Sequence, residues 1–257
     1  MDLAMLAIFS AVLAVSLYIF IGLALGVGLD QLAAAFSSWE FRSALTLSLV
    51  AASLATLLAA PPAICLAYIL SRRRGFLAVV LESLLTLPFT TTPIAVGSLV
   101  LLFITQTAVG RLLNGYLNLL FTLNGAVLVQ FILALSTMLT PMIDSFKSVS
   151  VEYEHVSRTL GHGVLSTFIN VVVPMARRGL ISSMLMGFMK AFSDFGATVM
   201  VAGIVVGKTA TLPGAIFVKM STGELSTALA MILLSMLVSL VISLAVKVAR
   251  SGGWERP

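Results

Sequence analysis

The chain has 257 residues, of which 60% are hydrophobic and only 10% are charged, and its formal net charge is +5. Its mean hydropathy of +1.12 lies far above that of soluble domains, in which about a quarter of the residues are charged. This composition excludes a soluble fold, and the dispersed basic residues exclude a nucleic-acid-binding surface. We therefore predict an all-α polytopic membrane protein, with residues 1–257 forming a single transmembrane domain.

Six runs are apolar and long enough to cross a bilayer, which requires roughly 20 residues per helix. The first run, about Leu3–Leu29, lacks a preceding basic flank and is longer than the apolar part of a signal peptide. We therefore predict a retained span there and not a cleaved signal. The other five predicted spans are, in chain order, about Ala44–Leu70, Phe76–Ile104, Gly125–Ile143, Leu180–Ala202 and Ala228–Val246.

The basic residues are distributed unequally between alternate loops, and this asymmetry predicts the orientation. Ten fall in the loops and tail of one side, namely Arg72, Arg73, Arg74, Lys147, Arg158, Arg177, Arg178, Lys247, Arg250 and Arg256. The loops of the other side hold Arg42, Arg111, Lys208 and Lys219. By the positive-inside rule the larger group marks the cytoplasm, so both termini are predicted inside a multi-pass protein of the cell membrane.

The third predicted span contains the sequence LPFTTTPIAVG, from Leu87 to Gly97. Pro88 and Pro93 each remove a helical hydrogen bond, and the intervening threonine hydroxyls can bond the freed carbonyls. One interpretation is a kinked and well-packed helix. The other is a polar cavity lined by Thr90, Thr91 and Thr92.

The longest loop on the predicted cytoplasmic side covers about residues 147–178 and contains the hydrophilic segment EHVSRTLGHG. Apolar residues recur every four positions from Val156, which indicates an amphipathic helix, and they are Val156, Leu160, Val164 and Phe168. Gly161 and Gly163 should divide this helix into two short pieces, and Pro174 should end the second piece. Such a helix suits docking into a cleft of another protein, whereas a helix lying on the membrane surface is the alternative.

The fifth predicted span contains KAFSDFG, in which Lys190 and Asp194 are one helical turn apart on one face. Charged side chains within a bilayer usually face the interior of a helix bundle or a wet cavity. Two interpretations follow for this pair. It is either an internal ion pair that faces other helices or a polar element beside a translocation path or its gate.

Catalytic, metal and nucleotide sites are not indicated. The stretch GIVVGKT has three residues between its glycines, where a phosphate-binding loop has four. His155 and His162 lack a metal-ligating partner, and Asp194 is the only acidic residue deep in a predicted span, which excludes a carboxylate pair. We expect no catalytic residue, no metal site and no cofactor in this chain.

The hydrophilic segment resembles the EAA loop of the permease subunits of ABC importers, which reads Glu-Ala-Ala, three residues, Gly, nine residues, Ile-x-Leu-Pro. Gly161 and Pro174 have this separation, and VVVP is a conservative version of the end. At the front, His155 takes the Glu place, Val156 and Ser157 take the Ala places, and Glu154 stands one residue early. The resemblance implies a coupling helix that sits in a groove of an ATPase subunit, formed by Glu154, His155, Val156, Ser157, Arg158, Leu160, Gly161 and Pro174.

Further along, KAFSDFGATVMVAG and then KTATLPGAIF resemble the molybdate/tungstate permeases, with Lys190 and Asp194 in the places of Arg and Glu. The stretch LPFTTTPIAVG resembles another pattern of that family, with Thr92 replacing one proline. The resemblance covers roughly Leu45 to Val246. Sulfate permeases are close relatives, so a sulfate or thiosulfate permease is the alternative. An ATPase-independent secondary transporter would be expected to show two similar halves or paired broken helices, and neither is found in the sequence.

The resemblance implies the type I permease fold of ABC importers, with six transmembrane helices. It also implies a homodimer of this chain in the lipid membrane, two cytoplasmic ATPases that bind ATP and Mg, and one extracytoplasmic oxyanion-binding protein. Along the translocation path or at its gate we expect Lys190, Asp194, Thr90, Thr91 and Thr92.

Overall fold

The computed structural model describes residues 10–11, 14–15, 18, 22, 26–73 and 75–251, and the regular elements within these residues are all helical. The first half comprises α1 (Leu29–Ser37), α2 (Trp39–Arg72), α3 (Phe76–Thr90), α4 (Pro93–Gln106), α5 (Ala108–Leu117) and α6 (Leu123–Lys147). The second half comprises α7 (Val151–Thr159), α8 (Val164–Thr167), a π-helical turn (Phe168–Val172), α9 (Val173–Phe192), α10 (Gly196–Ala202), α11 (Leu212–Ser221) and α12 (Leu225–Ser251).

Four described helical stretches are long and apolar enough to cross a membrane, and they are Trp39–Arg72, Leu123–Lys147, Val164–Phe192 and Leu225–Leu244. The helices α3 and α4 qualify together as a fifth, broken span. The predicted first span, about residues 3–29, lies largely outside the described residues, as do Arg74 and Arg256. The count of six spans and the positions of the termini therefore stay predictions.

The core is built by α2, α6 and α9. One side of α2 carries small residues that are fully buried, including Ala52, Ala59, Ala63 and Ala67. Small side chains let helix backbones approach closely, which is the usual basis of helix packing within lipid. On α9, a Cβ added to Gly187 would lie 2.3 Å from Cε of Met138 on α6, so a side chain there would displace Met138 from its present position.

Several basic residues lie together at one end of this core. Arg72 and Arg73 end α2, and they line one cavity together with Lys147 at the end of α6 and Arg158 on α7. At the other end of α2, Glu40 forms a 2.7 Å ion pair with Lys219 of α11. The ends of α2 and α6 that carry basic residues therefore lie at one end of the bundle.

The third and fifth predicted spans are interrupted in the structure. The third splits at Thr91–Thr92 into α3 and α4, whose axes differ in direction by 104°. Pro88 lies within α3, whereas Pro93 begins α4, a position where the missing N–H costs no helical bond. The continuous kinked helix is therefore wrong, and a break at Pro93 replaces it.

The fifth predicted span both begins and ends elsewhere. Its helix starts at Val164 and ends at Phe192, so it includes residues that were assigned to the preceding loop. Pro174 lies at the start of α9 directly after the π-helical turn and does not end the helical stretch, contrary to expectation. The wider hydrogen-bonding ring of the π turn supplies the local adjustment that lets the chain remain helical before this proline.

Candidate functional site

The hydrophilic segment forms a hairpin of two short helices, as its glycines predict. The helix α7 begins at Ser150, whose hydroxyl accepts a bond from the N–H of Glu152, and it ends before Gly161. Gly161 has a φ of +91°, a left-handed conformation that side chains rarely adopt. The N–H of His162 returns to the carbonyl of Ser157 at 3.2 Å, which closes the end of the helix.

The inner side of this hairpin is held together by a buried hydrogen bond and packs against the bundle through Phe168. The hydroxyls of Ser157 on α7 and Thr167 on α8 form a buried hydrogen bond of 3.0 Å between the two pieces. Phe168, which follows α8, lies 4.7 Å from the ring of Tyr68 and 6.2 Å from that of Phe146. The expectation that Phe168 shares an exposed stripe with Val156 is therefore wrong, because Phe168 packs into an aromatic cluster.

The carboxylate of Glu154 is the central polar contact of the inner side. It is only 3% exposed, and it accepts bonds from Nε of Arg72 at 2.7 Å and from the hydroxyl of Tyr68 at 2.8 Å. Arg158 lies 3.6 Å away on the same helix. We refer to Glu154, Arg72 and Tyr68 as the Glu154 clamp.

Arg72 extends this clamp to a third helix. Its two terminal nitrogens donate to the carbonyls of Phe146 and Val149, each at 3.1 Å, at the end of α6. A cation at a helix C-terminus satisfies carbonyls that have no partner within the helix and complements the helix dipole. One guanidinium therefore joins the ends of α2 and α6 to the start of the hairpin.

The outer side of the hairpin is apolar and exposed. Leu160 is 75% exposed and Leu165 is 71% exposed, and both lie away from the bundle. We call this surface the docking face, and its members are Tyr153, Val156, Leu160, Val164 and Leu165. His155 is also exposed, and the side chain of Arg158 is 44% exposed. A surface of this kind on a polar hairpin is typical of a partner-binding site.

A second polar region lies at the two helix breaks within the bundle. The break before α4 and the break before α10 lie side by side, since a Cβ added to Gly196 would lie 2.9 Å from Cγ1 and 3.0 Å from the backbone nitrogen of Ile94. Gly97 on α4 approaches Ala197 on α10 as closely, at 2.7 Å for an added Cβ. The structure thus contains a pair of broken helices, which the sequence did not reveal.

Asp194 lies at the second of these breaks and does not form the expected ion pair. Its carboxylate accepts bonds from the N–H of Thr198 at 2.8 Å and from the hydroxyl of Thr198 at 2.7 Å. The N–H of Ala197 lies 3.5 Å away. Because α9 ends at Phe192, Lys190 and Asp194 are not on one continuous helix, and no ion pair joins them in the described part of the chain. The carboxylate instead binds the start of α10.

Gln130 of α6 extends the network of Asp194 into the core. Its Nε2 lies 3.3 Å from the hydroxyl of Thr198, and its Oε1 has no hydrogen-bond partner in the described chain although the residue is 1% exposed. Sequence reasoning missed Gln130. The available signal was a lone amide within an otherwise apolar stretch of the fourth predicted span.

The three threonines of the first break are exposed in the single chain. The hydroxyls of Thr90 and Thr91 both donate to the carbonyl of Leu87, at 3.0 Å and 2.8 Å, and so they end α3. Thr92 precedes α4 and also lies on the surface. Lys190 lines a separate cavity of about 310 Å³ together with Ser239 of α12. The predicted path residues are therefore divided between the paired breaks and the α9–α12 cavity.

The described residues bring together no group of three His, Cys, Asp or Glu side chains that could hold a metal ion.

Comparison with protein families gives a match over most of the chain. Residues 63–251 match the family of binding-protein-dependent transport system inner membrane components. A solved bacterial alginate ABC transporter, in complex with an alginate pentasaccharide-bound periplasmic protein, contains a chain with the same fold. The two superimpose with a TM-score of 0.76 over 95% of this chain and 91% of that chain, at 17% identity.

Curated relatives are similar over about three quarters of the chain. The molybdenum transport system permease protein ModB of Escherichia coli K12 is 31% identical over 204 residues, which are 74% of this chain and 89% of that protein. The probable transport system permease protein NifC of Clostridium pasteurianum is 31% identical over 192 residues, 74% of this chain and 66% of that protein. The sulfate transport system permease protein CysW of Synechocystis is 28% identical over 188 residues, 72% of this chain and 68% of that protein.

Proposed function

The chain belongs to the family of binding-protein-dependent transport system inner membrane components, so it is an integral membrane permease subunit of an ABC importer, and we propose that it imports molybdate or tungstate. In this proposal two copies of the chain form the pathway, two cytoplasmic ATPases supply the energy, and an extracytoplasmic binding protein delivers the oxyanion. The chain itself contributes translocation and not catalysis. ATP and Mg belong to the partner subunits.

The docking face is the observation that carries the coupling role. Its exposed side chains, such as Val156 and Leu160, stand on a hairpin whose inner side is fixed to the bundle by the bonds of the Glu154 clamp. An apolar face presented on a fixed base is suited to a complementary groove, since little conformational entropy is lost on binding. His155 and Arg158 add polar contacts at its edge. The match of this segment to the EAA pattern supports an ATPase subunit as the occupant.

The same geometry suggests how ATP drives transport. Closure of two ATPases around ATP would draw their two docked hairpins together. Because each hairpin is attached to the ends of α2 and α6, these helices would tilt and open the pathway outward to receive the anion. Hydrolysis and separation of the ATPases would reverse the tilt. Differential binding of the hairpin in the two states is what such coupling requires.

The paired helix breaks support a translocation path at mid-bilayer. Irregular backbone at membrane depth is tolerated only inside protein or along a water-filled cavity. Thr90, Thr91 and Thr92 offer exposed hydroxyl groups at the break that packs beside the Asp194 break, whereas Lys190 lines the separate cavity between α9 and α12. Broken pairs also occur in secondary transporters, but membership of a binding-protein-dependent family favours the ATP-driven importer.

Sulfate is the second candidate cargo, because CysW is nearly as similar to this chain as the molybdenum permeases are. The two anions share tetrahedral shape and double charge, so a pathway of hydroxyl and backbone groups does not separate them strongly. We assign selectivity to the external binding protein.

The test is to purify the chain with its ATPase and to titrate binding proteins loaded with molybdate, tungstate or sulfate. The proposal predicts that the molybdate- or tungstate-loaded protein stimulates ATP hydrolysis and vesicle uptake. Stimulation by the sulfate-loaded protein alone would favour the second candidate. Leu160→Asp should abolish co-purification of the ATPase, whereas Val205→Asp, at an exposed site between α10 and α11, should leave it intact.

A further inference from the structure

The docking hairpin is attached to the bundle on its α8 side by the helical stretch that continues into α9 and by the packing of Phe168, and on its α7 side by the Glu154 clamp. The chain reaches α7 from α6 through a short linker, Ser148–Ser150, in which Ser150 has extended backbone. Ser148 and Val149 still bond carbonyls of α6, so the chain changes direction between α6 and α7 at Ser150. Among the polar contacts of α7, the Ser157–Thr167 hydrogen bond is internal to the hairpin, whereas the Glu154 clamp reaches the bundle.

We propose that Glu154 is a positioning residue that makes the docking hairpin and the ends of α2 and α6 move as one rigid unit. The proposal rests on the coupling role described above and adds how force passes from the docked ATPase to the membrane helices. Glu154 acts through Arg72 and Tyr68 and has no role in ATP chemistry.

The Glu154 side chain points toward the bundle and away from the docking face. Its carboxylate is almost fully buried, and both of its oxygens are bonded to side chains of α2. Its neighbours His155 and Val156 lie on the exposed side of the same helix. The acidic residue of the segment is therefore not available to an ATPase groove, and the contact with the partner falls to the exposed residues.

The guanidinium of Arg72 holds groups from α7 and from the end of α6 in fixed relative positions. Its guanidinium makes three bonds in three directions, to Glu154 and to the carbonyls of Phe146 and Val149. The planar fork of arginine holds such partners in fixed relative positions, whereas a lysine would offer a single mobile charge. The side chain of Arg72 also lies against the ring of Tyr68, with its Cζ 5.8 Å from the ring centroid. Rotation of α7 would break the bonds that Glu154 accepts from Arg72 and Tyr68.

The clamp joins α2 and α6, two of the three helices that build the core. The buried alanines of α2 pack in the same hydrophobic cluster as Leu139 and Phe146 of α6. A force applied at α7 therefore reaches the most tightly packed pair of helices in the described chain. Without the clamp, a force on α7 would reach the bundle only through α8 and the helical stretch that continues into α9.

The decisive experiment measures coupling and not activity alone. The purified complex with its ATPase is reconstituted in vesicles, and anion uptake is measured beside the ATP hydrolysis that the loaded binding protein stimulates. Glu154→Gln should lower the number of anions transported per ATP by about tenfold while hydrolysis and co-purification of the ATPase stay near wild type. The matched control is Glu152→Gln, an exposed acid on the same helix, and it should behave as wild type.

A second measurement keeps the test valid if transport is lost for another reason. After replacement of the single cysteine, Cys65, spin labels at Ile69 on α2 and Thr159 on α7 report the distance between the two helices. The wild type should give one narrow distance, and Glu154→Gln and Arg72→Lys should broaden it. Equal coupling and an equally narrow distance in wild type and Glu154→Gln would overturn the clamp. If Leu160→Asp also kept the ATPase bound, the docking role itself would fail.

Discussion

The Glu154 clamp and the Asp194 break both bury a carboxylate, but they stabilise it by different means. At the basic end of the bundle, Glu154 is neutralised by an arginine whose own side chain is 18% exposed. Within the bundle, Asp194 is bound by N–H groups and a hydroxyl at the start of α10. Near water an ion pair can be desolvated at moderate cost, whereas a second charge buried inside a helix bundle adds a penalty of its own. The two carboxylates therefore differ in partner as they differ in place within the bundle.

This difference has a functional consequence. An arginine with several directional bonds links separate helices, which suits a region that transmits force. A carboxylate that caps the next helix of its own chain stabilises one local break, which suits a region where the pathway must keep an irregular backbone. The two carboxylates therefore serve different parts of the proposed transport cycle.

The largest expected effect is from Arg72→Ala, which leaves the Glu154 carboxylate buried without its closest cation. Removing one partner of a buried pair costs about 3 kcal/mol of unfolding free energy or more. The double variant with Glu154→Ala should be less destabilised than the sum of the single variants, with a coupling energy of at least about 1.5 kcal/mol. Denaturant unfolding of the purified chain in detergent measures the cycle, and additive effects would refute the clamp.

Asp194→Ala is expected to lower the free energy of unfolding by less, about 2 kcal/mol, because it removes hydrogen bonds to a charged acceptor and no ion pair. Asp194→Asn keeps an acceptor for Thr198 and should recover part of the loss. Lys190→Met tests whether the two side chains interact. Its loss of unfolding free energy should add to that of Asp194→Ala within about 0.5 kcal/mol, as expected for independent sites. A strong coupling between Lys190 and Asp194 in the same unfolding assay would restore the ion pair that the sequence suggested.

Much of the hairpin could be predicted from the sequence, because its signals are local. The glycines at 161 and 163 and the spacing of Val156 and Leu160 lie within ten residues, and they predict the break and the exposed face that the structure contains. The clamp could not be predicted in this way. Glu154 is separated from Arg72 by 82 residues, and nothing in the sequence around Arg72 distinguishes it from the other basic residues at the ends of the spans.

The Asp194 break was missed for a different reason. The mostly apolar run from Leu180 to Ala202 favours one helix, and the turn spacing of Lys190 and Asp194 then predicts an ion pair. The overlooked signal was Asp194 itself, since an aspartate often stands at the start of a new helix. The break at Pro93 is close to the Asp194 break in space but distant from it in sequence. The pairing of the two breaks could therefore be seen only in the structure.

Within the hairpin, Gly161→Ala tests whether the turn or the clamp fixes α7. The left-handed conformation of Gly161 costs other residues about 1–2 kcal/mol, so the variant should unfold more readily and lower anion uptake several-fold. Gly163→Ala is the matched control, because Gly163 has an ordinary φ of −69° and open space around it. Equal uptake in the two variants would mean that the clamp alone positions the hairpin. Gly161→Pro should abolish uptake while the protein stays in the membrane.

The smallest effect is expected at the opposite end of α2, where an ion cluster lacks the burial of the Glu154 clamp. Lys219 lies 2.7 Å from Glu40 and 3.0 Å from Glu224, whose side chains are 41% and 49% exposed. Exposed pairs contribute no more than about 1 kcal/mol, so Lys219→Met should lower the melting temperature only slightly.

The pH dependence of the melting-temperature difference between wild type and Lys219→Met identifies its cause. Hydrogen bonds to Glu40 and then to Glu224 raise the pKa of Lys219 above its ordinary value of 10.5. A group whose pKa is raised on folding contributes its full stabilisation below the ordinary pKa and loses it as the pH rises through the raised pKa. The melting difference between wild type and Lys219→Met should therefore be constant at pH 8 to 9 and shrink above pH of about 10.5. If the melting-temperature difference persists at higher pH, it comes from packing of the lysine stem and not from the lysine charge. The Lys219 cluster and the Glu154 clamp would then differ only in burial.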